Sequence, residues 1–430
     1  MFNKKGGNTF DETDELLFES FTTFCGLGIH NTQMYEKAAI LLARQRVNME
    51  VLQYHASPGS VHVEEFLLDE IPDANLYNLF DFTFDDIDMT DNETCHMAIA
   101  MFLHNDLLAK FQIPYEKMVK FILSIKKNYR PVIYHNWRHA FNVAQTLFTI
   151  FYTGQMDTWF TDMEIMVMLV GALCHDLDHR GTNNNFQMLS ESPIARLYGT
   201  STMERHHFDH SVMLLKTEGS DIFTSLPDEK YKLAMTMLEE AILSTDLALY
   251  FKKRTAFQTV VEQQLADWSK FDNRDVLRGM LMTACDVAAI TKPWPIQQRT
   301  AELVASEFFY QGDMERAQFS KEPIPMMDRE KHQELPKMQV GFIDFVCMQL
   351  YKAFYHINPH LKPLYDGVVN NRKNWQDLID NYQPQEVAVA QPPRDRRESS
   401  LSSAQARKKS RAVSFAEANE STTTKICVIQ

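Results

Sequence analysis

Apolar residues recur at helical spacing almost without interruption from about Leu76 to Tyr382, and no stretch of useful length alternates in the period of a strand. That pattern restricts the chain to an all-α fold, a compact multi-helix domain. Breakers are few enough to allow it: 14 Gly and 16 Pro in 430 residues fall well below the usual combined share of about 12%. Two helix starts are explicit. Thr161-Asp-Met-Glu164 forms a capping box ahead of the apolar run Ile165 to Cys174, and Pro227 in Ser225-Leu-Pro-Asp228 suits a first turn. The run from Ile165 is half the roughly 20 residues that a membrane-spanning helix needs, so it reads as buried core.

Charge divides the chain. The net charge is −14, yet residues 391–430 carry eight Lys/Arg against four Asp/Glu, which makes the tail +4 and the remainder −18. Such a balance excludes a nucleic-acid-coating protein. From Pro384 the composition turns to Gln, Pro, Ser, Arg and Ala, too poor in large apolar residues to offset chain entropy, so 384–430 is expected to be a disordered basic tail. At the other end an acidic, aromatic segment (1–30) precedes a helical pattern from Asn31 to about His55 and a mixed connector through residue 75. Six scattered cysteines, with no Cys-x-x-Cys pair and no apolar leader, suit a reducing cytosol.

The chemistry concentrates in separated strings. YHNWRHAFNV, from Tyr134, spaces His135 and His139 four apart, which on a helix puts both imidazoles on one face. Histidines so spaced also occur as satisfied core or surface residues. CHDLDHRGTNN, from Cys174, packs His175, Asp176, Asp178 and His179 just after the apolar helix, where charged groups are costly unless a cation compensates them; a hydrogen-bonded surface turn is the other reading. Asp286 stands in the apolar run MLMTACDVAAI and also needs a partner. Glu204, His206, His207 and Asp246 add ionisable groups in apolar surroundings. His139, His175, Asp176 and Asp286 together make a nitrogen and oxygen set suited to zinc, and a harder ion such as magnesium or manganese can share Asp176. Two cations so placed would neutralise a cyclic phosphodiester and acidify a water between them, with His135 as the general acid for the departing oxygen.

These strings resemble the class I cyclic nucleotide phosphodiesterases, HD-type metallohydrolases, over about residues 76–383. Carried over by motif, the resemblance implies His135 as general acid and His139, His175, Asp176 and Asp286 as metal ligands. It places His179, Glu204, Thr245 and Asp246 in support around them. It sets Gln339 at the purine edge, with Phe342 and Val304 as the clamp and Tyr134 beside them. Gln297, in KPWPIQQR, resembles the amide that orients the glutamine in cyclic-GMP-selective members, since a lone amide pairs with guanine or adenine according to its flip. The strings ALYFKKRT, EPIPMMDR and MQVGFIDFVC are similar to the GAF-linked photoreceptor and smooth-muscle branches, although Pro295 departs from the photoreceptor pattern. Residues 1–30 then resemble the end of a GAF domain and 31–75 its linker helix and connector. The implied reaction is hydrolysis of 3′,5′-cyclic GMP to 5′-GMP with two divalent metals, zinc plus magnesium or manganese.

The last four residues, Cys427-Val-Ile-Gln430, fit a prenylation site, farnesyl by the terminal Gln, and Arg407-Lys-Lys-Ser-Arg411 supplies the second membrane signal. The resemblance implies a homodimer, a prenyl-binding protein as partner, and residence on the cytoplasmic face of the plasma membrane with a cytosolic pool. Three rival readings remain open. They are a dual cyclic GMP and cyclic AMP enzyme, another His-Asp nucleotide phosphohydrolase, and a catalytically silent membrane-tethered subunit.

Overall fold

A computed structural model describes residues 9–55, 63–69, 71, 73–262, 268 and 271–381. Cys427 and the rest of the basic tail lie outside the described residues. Helices account for the regular structure, and no strand occurs among the described residues, as the apolar period requires. Helices of eight or more residues are numbered here in chain order. They are α1 (Glu12–His55), α2 (Asp91–Leu103), α3 (Tyr115–Asn128), α4 (Trp137–Tyr152), α5 (Asp162–Cys174), α6 (Thr202–Leu215) and α7 (Asp228–Leu243). There follow α8 (Leu247–Glu262), α9 (Phe271–Asp286), α10 (Trp294–Phe319), α11 (Leu335–Phe342), α12 (Met348–Ile357) and α13 (Lys362–Asp380).

α5 is the hub. It packs on α4, α7 and α9, and because it is apolar on every side it buries eleven residues from Glu164 to Cys174. Thr161 opens it with the expected capping box: its hydroxyl accepts from the Glu164 N–H at 3.2 Å, and the Glu164 carboxylate accepts from the Thr161 N–H at 2.8 Å. The same carboxylate, buried, accepts from Arg278 at 2.6 Å and Arg274 at 3.1 Å, which ties the start of α5 to α9. α7 starts at Asp228 with Pro227 as its cap residue, one position outside the first turn. At Gly367 in α13 a Cβ would stand 2.0 Å from the Thr291 carbonyl oxygen, so only glycine admits this approach.

α1 begins at Glu12, well ahead of the Asn31 start that the sequence suggests. Only Ala43, Val47 and Val51 of it are buried, against Ile194 and Met203. No described helix is long and apolar enough to cross a membrane. Cys174 and Cys285 are buried; Phe309 is core, whereas Phe308 lines a cavity.

Candidate active site

α4 opens at Trp137 because Asn136 caps it, its side chain accepting from the Arg138 N–H at 3.0 Å. His139 therefore sits in the first turn while His135 lies on the bend ahead of it. The expectation of two imidazoles on one helical face is corrected by this cap, although the bend still brings the rings to 5.5 Å. α5 delivers His175 at its carboxyl-terminal cap and Asp176 one residue later, and α9 ends at Asp286.

These ends converge. His139 Nε2 lies 3.1 Å from His175 Nε2, 3.1 Å from Asp286 Oδ1 and 3.5 Å from Asp176 Oδ2. His175 Nε2 lies 3.3 Å from both carboxylates. Donor atoms about 2.1 Å from a common cation would stand roughly 3 to 3.4 Å apart, so the spacing fits a divalent metal. Electrostatics agree. Against the burial penalty, Asp176 and Asp286 raise the His175 pKa well above its ordinary value, and the carboxylates are themselves held low, Asp286 at about 2 by His139 and His175. A proton on His175 is the least compensation this group accepts, and a divalent cation is a stronger one.

Asp176 faces two ways. Its second oxygen lies 3.6 Å from His207 Nε2, and Asp176, His179 and His207 form a further buried cluster that could hold a metal. Burial, with the charge on His135, lowers His179 to about 4. Glu204 is buried, accepts from Asn184 at 3.1 Å, and is raised to about 8 by burial and the charge of Asp246. Asp246 accepts from the Ser201 hydroxyl at 2.5 Å, and the Thr245 hydroxyl donates to the Ile242 carbonyl at 2.8 Å.

His135 bonds through Nδ1 to Glu307, a buried carboxylate that also accepts from the Tyr134 N–H at 2.7 Å. Burial opposes the imidazolium, but Glu307, with Asp176 and Asp286, outweighs it and raises His135 to about 9. The ring also stands 4.3 Å from that of His179.

One cavity of about 160 Å³ joins these parts. Tyr134, His135, His139 and Asp286 line one side, and Gln297, Val304, Gln339 and Phe342 line the other. Gln339 and Phe342 share a face of α11, three residues apart, and the Gln297 amide donates to Gln339 Oε1 at 3.5 Å. The structure brings His139, His175, Asp176 and Asp286 within a few ångströms of one another, and Tyr134, His135, Gln297, Val304, Gln339 and Phe342 line the cavity beside them.

The sequence profile of the 3′5′-cyclic nucleotide phosphodiesterase family matches residues 134–368, more than half of the chain. The chain belongs to that family. Across 380 residues, 88% of its length, it is 54% identical to the cGMP-specific 3′,5′-cyclic phosphodiesterase of Drosophila virilis. It is 53% identical over the same span to that of Drosophila melanogaster. It covers 43% and 34% of those two proteins, so it spans less than half of the relatives it matches.

Sequence reasoning missed one residue of this site and grouped another with the wrong neighbours. Glu307 is the first; its signal was an acid among Ala305, Phe308 and Phe309, the same kind of signal that singled out Asp286. The other is Asp178, which the sequence groups with His175, Asp176 and His179 but whose backbone is left-handed (φ 61°) and whose carboxylate has other partners. It is bound there by Arg130 at 2.8 Å, His206 at 2.8 Å and His55 of α1 at 3.0 Å. The loop that carries His175 and Asp176 is thereby fastened to the end of α1.

Proposed function

We propose that the chain hydrolyses 3′,5′-cyclic GMP to 5′-GMP, ending a cyclic nucleotide signal. One observation carries the reading: His139 and Asp286 of the His/Asp centre, His135 and Gln339 line a single cavity. The donor set suits zinc at His139, His175, Asp176 and Asp286, with magnesium or manganese sharing Asp176. When bound, such a pair neutralises the phosphodiester and acidifies a water to attack phosphorus. The chain's own residues do the rest. Phe342 and Val304 sandwich the purine, and Gln339 reads its edge. His135, its Nδ1 proton held by Glu307, carries on Nε2 the proton that passes to the departing 3′ oxygen. His179, Glu204, Thr245 and Asp246 position the polar groups around Asp176.

Gln297, donating to Gln339 Oε1, favours the amide orientation that gives a donor to guanine O6 and an acceptor to N1–H. A dual cyclic GMP and cyclic AMP enzyme is the second reading, because Gln297 Oε1 has no hydrogen-bond partner among the described residues and the amide pair is free to flip together. Initial rates of the metal-loaded protein on both nucleotides separate the two, and no hydrolysis of either refutes both. The Drosophila relatives' names, which specify cGMP, support the first. We further propose a farnesyl group on Cys427 that, with the basic tail, holds the protein on the cytoplasmic face of the plasma membrane. A prenyl-binding protein would exchange it with a cytosolic pool. We also propose that residues 1–75 are the end of a GAF domain with its linker and that the protein forms a homodimer. Mass spectrometry of the carboxyl-terminal peptide from native tissue tests the lipid.

A further inference from the structure

A second cavity, of about 290 Å³, shares Tyr134, His139 and Asp286 with the first but has neither Gln339 nor Phe342 in its lining. Two buried side chains face it with unmet hydrogen-bonding capacity. Lys292 is 5% exposed, and its ammonium reaches a single acceptor among the described residues, Gln145 Oε1 at 3.2 Å, leaving two of its three donors unmatched. Thr146, 3% exposed, has no partner for its hydroxyl among the described residues.

The other charges around the cavity are accounted for. Arg138 pairs with Asp86 at 3.2 Å and Arg299 with Asp85 at 2.7 Å, while Asp286 belongs to the His/Asp centre. Asp86, Asp81 and Asp85 lie close enough to favour the Lys292 ammonium through space, but its hydrogen-bonded acceptor among the described residues is Gln145 alone, so its remaining donors are unmatched inside a buried site. Ile133, Ile296 and Leu303 supply apolar wall.

We propose that this cavity binds a small organic monoanion, its carboxylate on Lys292 and Thr146 and its apolar body against Ile133, Ile296 and Leu303. One ammonium with two free donors beside a free hydroxyl matches one carboxylate, and Asp86 and Asp286 in the wall disfavour a dianion such as a phosphate monoester. The site stands on the cavity and its charge balance, independently of phosphodiester hydrolysis.

Calorimetric titration of the full chain with 2-naphthoate, and with neutral 2-naphthalenemethanol as the matched apolar body, tests this. Saturable binding of naphthoate to one site is expected, roughly tenfold or more weaker for the alcohol and for Lys292→Met, and several-fold weaker for Thr146→Val. Gln339→Ala, in the first cavity, leaves it unchanged. Should Lys292→Met fail to fold, Thr146→Val and the cavity-filling Ile296→Trp carry the comparison. The proposal is overturned by absence of naphthoate binding at millimolar concentration. It is equally overturned by binding that Gln339→Ala abolishes while the variants of the second cavity leave it intact.

Discussion

Glu307→Gln removes the charge that keeps His135 protonated while leaving an amide of the same length to accept from the Tyr134 N–H. In the native protein burial disfavours the imidazolium, and the adjacent carboxylate more than reverses this, holding His135 at about 9 and Glu307 at about 2. Without that charge, and with cations engaging Asp176 and Asp286, burial returns the imidazole to its ordinary value of about 6.5 or below. His135 acts in its protonated form, so its raised pKa preserves activity on the alkaline side and lowering it brings the loss to lower pH. At pH 8 a group titrating at about 9 is roughly 90% protonated and one at about 6.5 roughly 3%, which predicts an approximately 30-fold fall in kcat/KM. At pH 6 the loss is less than about twofold. The assay is kcat/KM on cyclic GMP between about pH 5.5 and 9.5, with metal content measured on the same samples. A variant that loses activity equally at every pH, with its alkaline limb still near 9, refutes the reasoning. A variant that loses metal refutes the separation of Glu307 from the His/Asp centre.

Other substitutions divide the site by role. His139→Ala and Asp286→Ala abolish both metal content and turnover, whereas His135→Ala keeps the metals and loses roughly 10² to 10⁴ in kcat, as elemental analysis beside kinetics will show. Gln297→Leu removes the donor on Gln339 Oε1 and narrows the preference for cyclic GMP over cyclic AMP by roughly two- to tenfold in kcat/KM. Glu164→Ala takes away both the α5 capping carboxylate and a buried partner of Arg278 and Arg274. It should cost about 2 to 3 kcal/mol in denaturant unfolding, with activity per folded molecule retained.

The sequence disclosed structure most sharply where cap chemistry precedes an apolar run, as at Thr161–Glu164 ahead of α5. The second half of α1 was legible from apolar spacing through Leu41, Leu42, Val47, Met49 and Leu52, of which only Val47 is buried, while its first half exposes Phe18, Phe21, Phe24 and Leu27. His135 was placed on a helix by its spacing from His139, but Asn136 is a capping residue type between them, and cap chemistry fixes a helix start more sharply than spacing does.

The acids illustrate a deeper limit. An acid in an apolar run requires a positive partner, which is why Asp286 could be picked out, and the argument applies equally to Glu307 and to buried Asp178. What the run does not encode is which positive group arrives. For Asp286 it is the metal-seeking pair His139 and His175; for Glu307 it is the protonated His135; for Asp178 it is Arg130, with His206 and the α1 residue His55. These partners lie 147, 172 and 48 residues from their acids for His139, His135 and Arg130, so tertiary packing alone assigns them. That assignment separates a ligand from a charge that keeps a general acid protonated, and both from an anchor for the ligand loop. Chemically identical carboxylates thus take up different tasks because each was given a different cation.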